Sequence, residues 1–262
     1  NHMAEDDFKY IPKRKPNTNK GDYGHLFVIA GSLNYSGAAY LTAQAAIRSG
    51  CGVVTLGFPK ILFRAMTIKL TEVIKTPINE TKDGTIDLSK EKLILKFSKK
   101  VEALAIGPGL SVNKRTVLLI KKILPKLDKP FVLDADGINA VSGSLEIFIK
   151  IKAPYIITPH QGEMSRLIGK KIPEINRIDI ALNFAKMYNV VVVLKGHRTV
   201  VASPEGKVYI NNTQGMDVYK SARLGVYLHG LSGDIAVKDK TESSLISSDV
   251  LEKIPEAFKK LD

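Results

Sequence analysis

Short, almost wholly apolar runs recur along this chain at residues 26–30, 53–57, 103–106, 131–133, 155–157 and 190–194, and each ends in a glycine or a charged loop. A strand that is apolar at every position has both faces covered, which is the habit of parallel sheets flanked by helices. The stretches between the runs suit that reading. Residues 37–49 are rich in alanine, 114–127 form a lysine-rich amphipathic pattern, and 174–188 read as a further helix. Residues 199–202 and 208–210 flank Pro204-Glu205-Gly206, a hairpin signal. A final helix is predicted from Tyr219 to about Lys238. The expected fold class is therefore α/β, with a mainly parallel central sheet and helices on both faces. A length of 262 residues suits one such domain, placed at 20–262. Asn1-His2-Met3 reads as a tag remnant, and the rest of 1–19 as a polar, basic arm.

The formal net charge of +13 raises the question of a polyanionic partner. Lysines are spread along the chain, and only Lys13-Arg14-Lys15 is concentrated. No aromatic RNA-binding signature accompanies them, so no nucleic-acid partner is expected. A general attraction for phosphorylated small molecules remains open. No run of 18 apolar residues exists, so no membrane span is expected. The single cysteine, Cys51, sits between two glycines before an apolar run. It reads as a small buried hydrophobe in a reducing, cytoplasmic setting.

In open α/β sheets, ligands bind beyond the carboxyl ends of the strands. Those ends carry Gly31-Ser32, Gly107-Pro108-Gly109, Asp134-Ala135-Asp136, His160 with Glu163, and Lys195-Gly196. Glycine loops let a ligand approach the backbone, where free N–H groups hold phosphate oxygens. Taken singly, each glycine is more simply a turn. No G-x-x-x-x-G-K-[ST] occurs and neither Gly-x-Gly triplet extends to G-x-G-x-x-G, so neither a P-loop nor the usual dinucleotide fingerprint is present. Asp134 and Asp136 suit a metal or hydroxyl partner, or equally a turn or helix cap. His160 has no second histidine or cysteine at zinc-ligand spacing. Lys195, emerging from a buried strand, is placed as a phosphate contact.

These residues carry a resemblance. Lys20-Gly21-Asp22-Tyr23-Gly24-His25, Ala30-Gly31-Ser32-Leu33-Asn34-Tyr35-Ser36-Gly37-Ala38-Ala39, Ala105-Ile106-Gly107-Pro108-Gly109-Leu110 and Leu133-Asp134-Ala135-Asp136-Gly137-Ile138-Asn139 follow one another in order. Thr158-Pro159-His160-Gln161-Gly162-Glu163, Val193-Leu194-Lys195-Gly196 and Tyr227-Leu228-His229-Gly230-Leu231-Ser232-Gly233-Asp234 complete the set. From about Lys20 to Val237 the chain resembles the NAD(P)H-hydrate dehydratases, which have a ribokinase-like fold. The resemblance implies repair of hydrated NADH or NADPH. The ring hydroxyl is phosphorylated by ADP, typical of bacterial members, or by ATP, and phosphate is then lost. It implies that Ala38 or Ala39, Gly109 and His160 line the hydrate pocket. Asp134, Asn139 and Glu163 would support magnesium, phosphate or the loop geometry, with Glu163 the metal candidate. Lys195, Gly196, His197, Arg198 and Thr199 would border the nucleotide, with Gly215 beside them. It also implies a homo-oligomer, often a tetramer, and an NAD(P)HX epimerase as functional partner. The basic arm at 9–20 resembles the linker of fused forms.

One departure stands out. The family carries a Gly-x-Gly-Asp anion hole and a helix after the hairpin. Here Asn212-Thr213-Gln214-Gly215-Met216 is followed within two residues by Tyr219. Asp217 is the candidate catalytic base, at or just after Met216. In the first account, the natural chain carries a glycine loop and helix that these 262 residues lack. Deleting a whole helix would bare apolar sheet, so this account costs less. In the second account the segment is truly absent, and the chain is a non-catalytic nucleotide-binding relic. A small-alcohol kinase on the same fold is the enzymatic alternative.

Overall fold

The apolar runs become strands, and the strands join in a single sheet. The computed structural model describes residues 17–173, 176–210 and 218–261. Its strands are β1 (His25–Ile29), β2 (Val53–Pro59), β3 (Ile74–Ile78), β4 (Ala103–Ile106), β5 (Phe131–Leu133), β6 (Tyr155–Ile157), β7 (Val191–Leu194), β8 (Val200–Ala202) and β9 (Val208–Ile210). They lie in the order β3-β2-β1-β4-β5-β6-β7-β8-β9. All pairings from β3 to β7 are parallel, and β8 and β9 close one edge as an antiparallel hairpin.

Alternation along the strands feeds two cores. Phe27 and Ile29 of β1 join Leu104, Ile106, Phe131, Leu133 and Ile157 on one face. Over that face pack α4 (Lys114–Ile123), α5 (Asp136–Val141), α7 (Gln161–Ile168) and α8 (Arg177–Tyr188), through Leu119, Ile138, Met164 and Phe184. Val28 and Ala30 point the other way, to Val54, Leu56 and Phe58. There α1 (Ser36–Arg48) packs through Ala39 and Ala43. The same side carries α9 (Val218–Asp239), whose Tyr219 and Ala222 meet Ile156, Val191 and Val193.

Several boundaries differ from expectation. The helix at 114–127 stops as an α-helix at Ile123 and finishes as a 3-10 turn, Leu124–Lys126, because Pro125 has no N–H to continue the ladder. The helix at 174–188 is described only from Arg177. The helix starting near Tyr219 is not the last one. It is followed by α10 (Ser247–Lys259), an amphipathic helix with Pro255 inside it. Strand β3 and the helices α2 (Phe63–Lys69), α3 (Glu91–Ser98), α5, α6 (Glu146–Lys150) and α7 are not among the elements the sequence predicts. Cys51, expected to be buried, is only partly so, packed against the core beside α1. Its Sγ donates to the Val53 carbonyl at 3.2 Å, and burial pushes the thiol pKa up.

Candidate active site

The strand order reverses between β1 and β4, which makes the crevice beyond their carboxyl ends the switch point where such sheets bind ligands. Here the backbone approaches itself closely. Gly31 N–H donates to the Pro108 carbonyl at 2.8 Å, joining the β1 and β4 loops. Gly107 adopts φ +131°, and a Cβ there would lie 1.8 Å from the Asp134 carbonyl oxygen. Gly109, at φ +66°, has Ala38 and Tyr35 where its own Cβ would be, 2.8 Å away. Only glycine fits either position. Ala38 is half-buried beside Gly109. Ala39 is fully buried in the core against Gly31 and does not line a pocket. That corrects its candidate role: one residue further along the helix turns the side chain inward.

Charge gathers over β5, β6 and β7. On a continuing strand Asp134 and Asp136, two residues apart, would face the same way. Ala135, at φ +49° and ψ −119°, ends the strand and separates them. Such a backbone costs about 1–3 kcal/mol in a non-glycine residue, and it places both carboxylates at the sheet edge. Asp136 begins α5. It accepts from Ser111 N–H at 2.8 Å and from the Asn139 amide at 3.1 Å. Asn139 in turn accepts from Arg166 Nε at 3.0 Å, so it braces the loop. Asp134 turns across the sheet instead. Its Oδ1 accepts from Thr158 Oγ1 and from Lys195 Nζ, each at 2.7 Å. Three strand ends are thus tied by one carboxylate oxygen, and both charged partners remain partly exposed.

His160 and Glu163 form the cap of α7. His160 Nδ1 accepts from the Gly162 and Glu163 N–H groups, while Glu163 Oε2 accepts from His160 N–H at 2.8 Å. The other Glu163 oxygen lies 3.4 Å from His160 Nε2. Both oxygens of this buried carboxylate therefore face the His160 loop, so Glu163 does not fit the metal role expected of it. Among the described residues no three His, Cys, Asp or Glu side chains converge on a metal position. The His160 side chain itself is exposed.

The loop after β7 is held from behind by a residue the sequence did not flag. Arg177, buried at the start of α8, donates to the His197 carbonyl at 2.7 Å and the Leu194 carbonyl at 3.1 Å. A Cβ on Gly196 would collide with that guanidinium. Gly196, His197 and Arg198 are exposed, and Thr199 Oγ1 donates to the Gly196 carbonyl. A cleft of about 610 Å³ opens beside them, lined by Thr158, Lys195, Gly196 and Thr199, by Val132, Ile156 and Val193 of the sheet, and by α9. Asp217 and Gly215 lie outside the described residues.

A seven-stranded parallel sheet with an antiparallel hairpin at its edge, and with glycine loops, carboxylates and a lysine collected at its carboxyl end, has the fold of the ribokinase-like class. An Enterococcus faecalis protein of that superfamily matches with a TM-score of 0.80 over 99% of this chain and 95% of its own, and its 20% identity speaks for the fold alone. Within that class, the profile of the NAD(P)H-hydrate dehydratase family matches residues 26–221, and the chain belongs to that family.

The bifunctional NAD(P)H-hydrate repair enzyme of Thermofilum pendens is 34% identical over 96% of this chain and 53% of its own length. The chain thus spans about half the length of such curated relatives. That alignment occupies 276 positions, more than the 262 residues of this chain, so the relative carries residues in the aligned span that this chain lacks. The ADP/ATP-dependent NAD(P)H-hydrate dehydratase of Bacillus subtilis, co-crystallized with ATP and Mg2+, matches with a TM-score of 0.79 at 26% identity. The match covers 100% of this chain and 98% of that one.

Proposed function

We propose that this protein is a hydro-lyase that dehydrates hydrated NADH and NADPH, with ADP as the expected phosphoryl donor and ATP the alternative. The observation that carries the reading is the junction at Asp134, where Lys195 reaches across β6 beside a nucleotide-sized cleft, one crevice away from the glycine loops at Ala38 and Gly109. The terminal phosphoryl group passes from the nucleotide to the ring hydroxyl. Phosphate then leaves as the neighbouring ring carbon gives up a proton, and the double bond returns.

In this scheme Lys195 meets the phosphate oxygens, exchanging Asp134 for the nucleotide. Gly196 to Thr199 border the nucleotide, and His160 meets the hydrate. Asp217 is the assigned base for the hydroxyl. Magnesium prefers phosphate oxygens with one or two carboxylates, so it is expected to arrive on the nucleotide rather than in a protein cage. A homo-oligomer in the cytoplasm and an epimerase working on the same hydrates belong to this reading. Among the described residues no helix is long and apolar enough to cross a membrane.

The test is incubation of the natural full-length protein with NADHX and ADP or ATP, followed by the absorbance of the reduced nicotinamide. Recovery with either nucleotide is the expected result, and none with both would sink the dehydratase reading. Lys195→Ala is expected to raise the apparent constant for the nucleotide about tenfold or more, since a charge-assisted phosphate contact contributes roughly 1.5–3 kcal/mol. A chain that loses nucleotide affinity on this change, yet shows no turnover beforehand, is the relic.

A further inference from the structure

The two halves of the carboxyl edge differ in chemistry. Over β5 to β7 lie Asp134, Lys195, His160 and Thr199. Over the β1–β4 crevice stand three exposed large apolar side chains, Leu33 at 48% exposed, Tyr35 at 55% and Val112 at 58%, with Asn34 exposed between the first two. These three residues come from the two loops that Gly31 and Pro108 tie together. Large apolar side chains left open beside a ligand crevice mark a surface that the ligand covers.

Their positions are fixed by close packing beneath. Leu33 N–H donates to the Gly84 carbonyl at 2.9 Å, and a Cβ on Gly84 would lie 2.6 Å from Leu33 Cβ. Tyr35 N–H donates to the Ser32 carbonyl at 3.0 Å, and Tyr35 Cβ sits against Gly109. The backbone and Cβ of Tyr35 are therefore locked onto the glycine loop, while the residue as a whole stays more than half exposed. A rigidly based aromatic ring at a switch point is a platform for a flat partner.

Resting on the dehydratase reading, the geometry points to Tyr35 as the residue that receives the uncharged, part-saturated ring of the hydrated nicotinamide, with Leu33 and Val112 as its apolar rim. The ring then lies on the apolar half of the edge, and the phosphates lie on the half that holds Lys195. The hydroxylated carbon is left facing the boundary between the halves, where phosphoryl transfer takes place.

The test compares wild type, Tyr35→Phe and Tyr35→Ala in the full-length protein, with NADHX varied at saturating ADP. Alanine keeps the Cβ that packs on Gly109, so the loop base survives the change. Tyr35→Ala is expected to raise KM for the hydrate about five- to tenfold, the range of one aromatic contact, with KM for ADP unchanged. Tyr35→Phe is expected to restore wild-type behaviour. Titration with NADH, the product, followed by its own fluorescence, reads the same contact without turnover and should weaken by the same factor. Unchanged hydrate KM and unchanged NADH affinity in Tyr35→Ala would overturn the assignment. So would an equal loss in Tyr35→Phe, because that would place the contact in the hydroxyl rather than the ring. An active wild type with indifferent Tyr35 variants removes this inference alone. A wild type that binds NADH through Tyr35 but never turns over NADHX removes the dehydratase reading alone.

Discussion

In the dehydratase reading His160 does two jobs that a sequence shows as one. Its ring is exposed, and its Nδ1 accepts from two N–H groups at the start of α7. Replacing it with alanine would remove the proposed hydrate contact and a helix cap together, and a lost cap alone costs roughly 1 kcal/mol. Asparagine can cap but presents no imidazole. His160→Asn is therefore expected to keep the wild-type melting temperature and still weaken hydrate binding more than nucleotide binding. His160→Ala is expected to lower both the melting temperature and hydrate affinity. Calorimetric titration of each ligand, beside a thermal melt, checks this, and hydrate affinity intact in His160→Asn would reduce His160 to its cap. At this scale the residue types at the strand ends were legible, because buried strands deliver their last side chains to one edge. What they touch was not. Asp134 could be read equally as a cap, and only its contacts with Thr158 and Lys195 separate it from Asp136. Arg177 lay hidden because nothing local announces that a helix arginine reaches two carbonyls on a neighbouring loop.

Elements were legible where burial is complete and obscure where it is partial. Strands β1, β4, β5, β6 and β7 are buried on both faces and read as apolar runs. Strand β3 is an edge strand carrying Lys75 and Pro77, with Ile74 exposed, so it shows neither an apolar run nor a clean alternation. Pro255 breaks the helical pattern of α10 in the same way. Between β3 and α4 the chain depends on polar ties that no periodicity reveals. Asp87 accepts from Ser89 N–H at 2.8 Å and from Arg115 through Nε and Nη2, the latter at 2.9 Å. The Arg115 hydrogen bond, with help from Ser89, holds the Asp87 carboxyl well below the usual carboxylate range. A depressed folded pKa contributes stability above the unfolded value of about 3.9, and that contribution is lost as pH falls through the folded one. Arg115→Ala is expected to melt below wild type at neutral pH, with the gap closing only in strong acid. Thermal melts from pH 7 down to acid check the trend. A gap that is constant with pH would assign the loss to packing rather than to the ion pair.

For the whole molecule, one face of the sheet decides how the chain departs from its family. Val132, Ile156 and Val193 open onto the cleft of about 610 Å³ that α9 borders through Ala222 and Val226. The resemblance predicts a glycine loop and a helix after Met216 that these 262 residues lack, and the Thermofilum relative carries residues somewhere in the aligned span that this chain lacks. A loop and helix entering at that point would land beside this apolar face. Burial contributes about 25 cal/mol for each Å² covered, so a protein with that segment should hold the face more firmly than one without it. The 262-residue chain is therefore expected to bind the apolar dye ANS in native buffer. A version with the family's glycine loop and helix inserted after Met216 should bind less dye and melt at a higher temperature. The natural protein, by the same argument, should have an intact mass above that of these 262 residues. Equal dye binding and equal melting in both versions would show that the face needs no further cover, and a natural mass matching 262 residues would remove the longer-chain account. The relic reading then becomes the better one, unless Asp217→Asn abolishes a measured dehydratase activity, which would place the base in the chain as it stands.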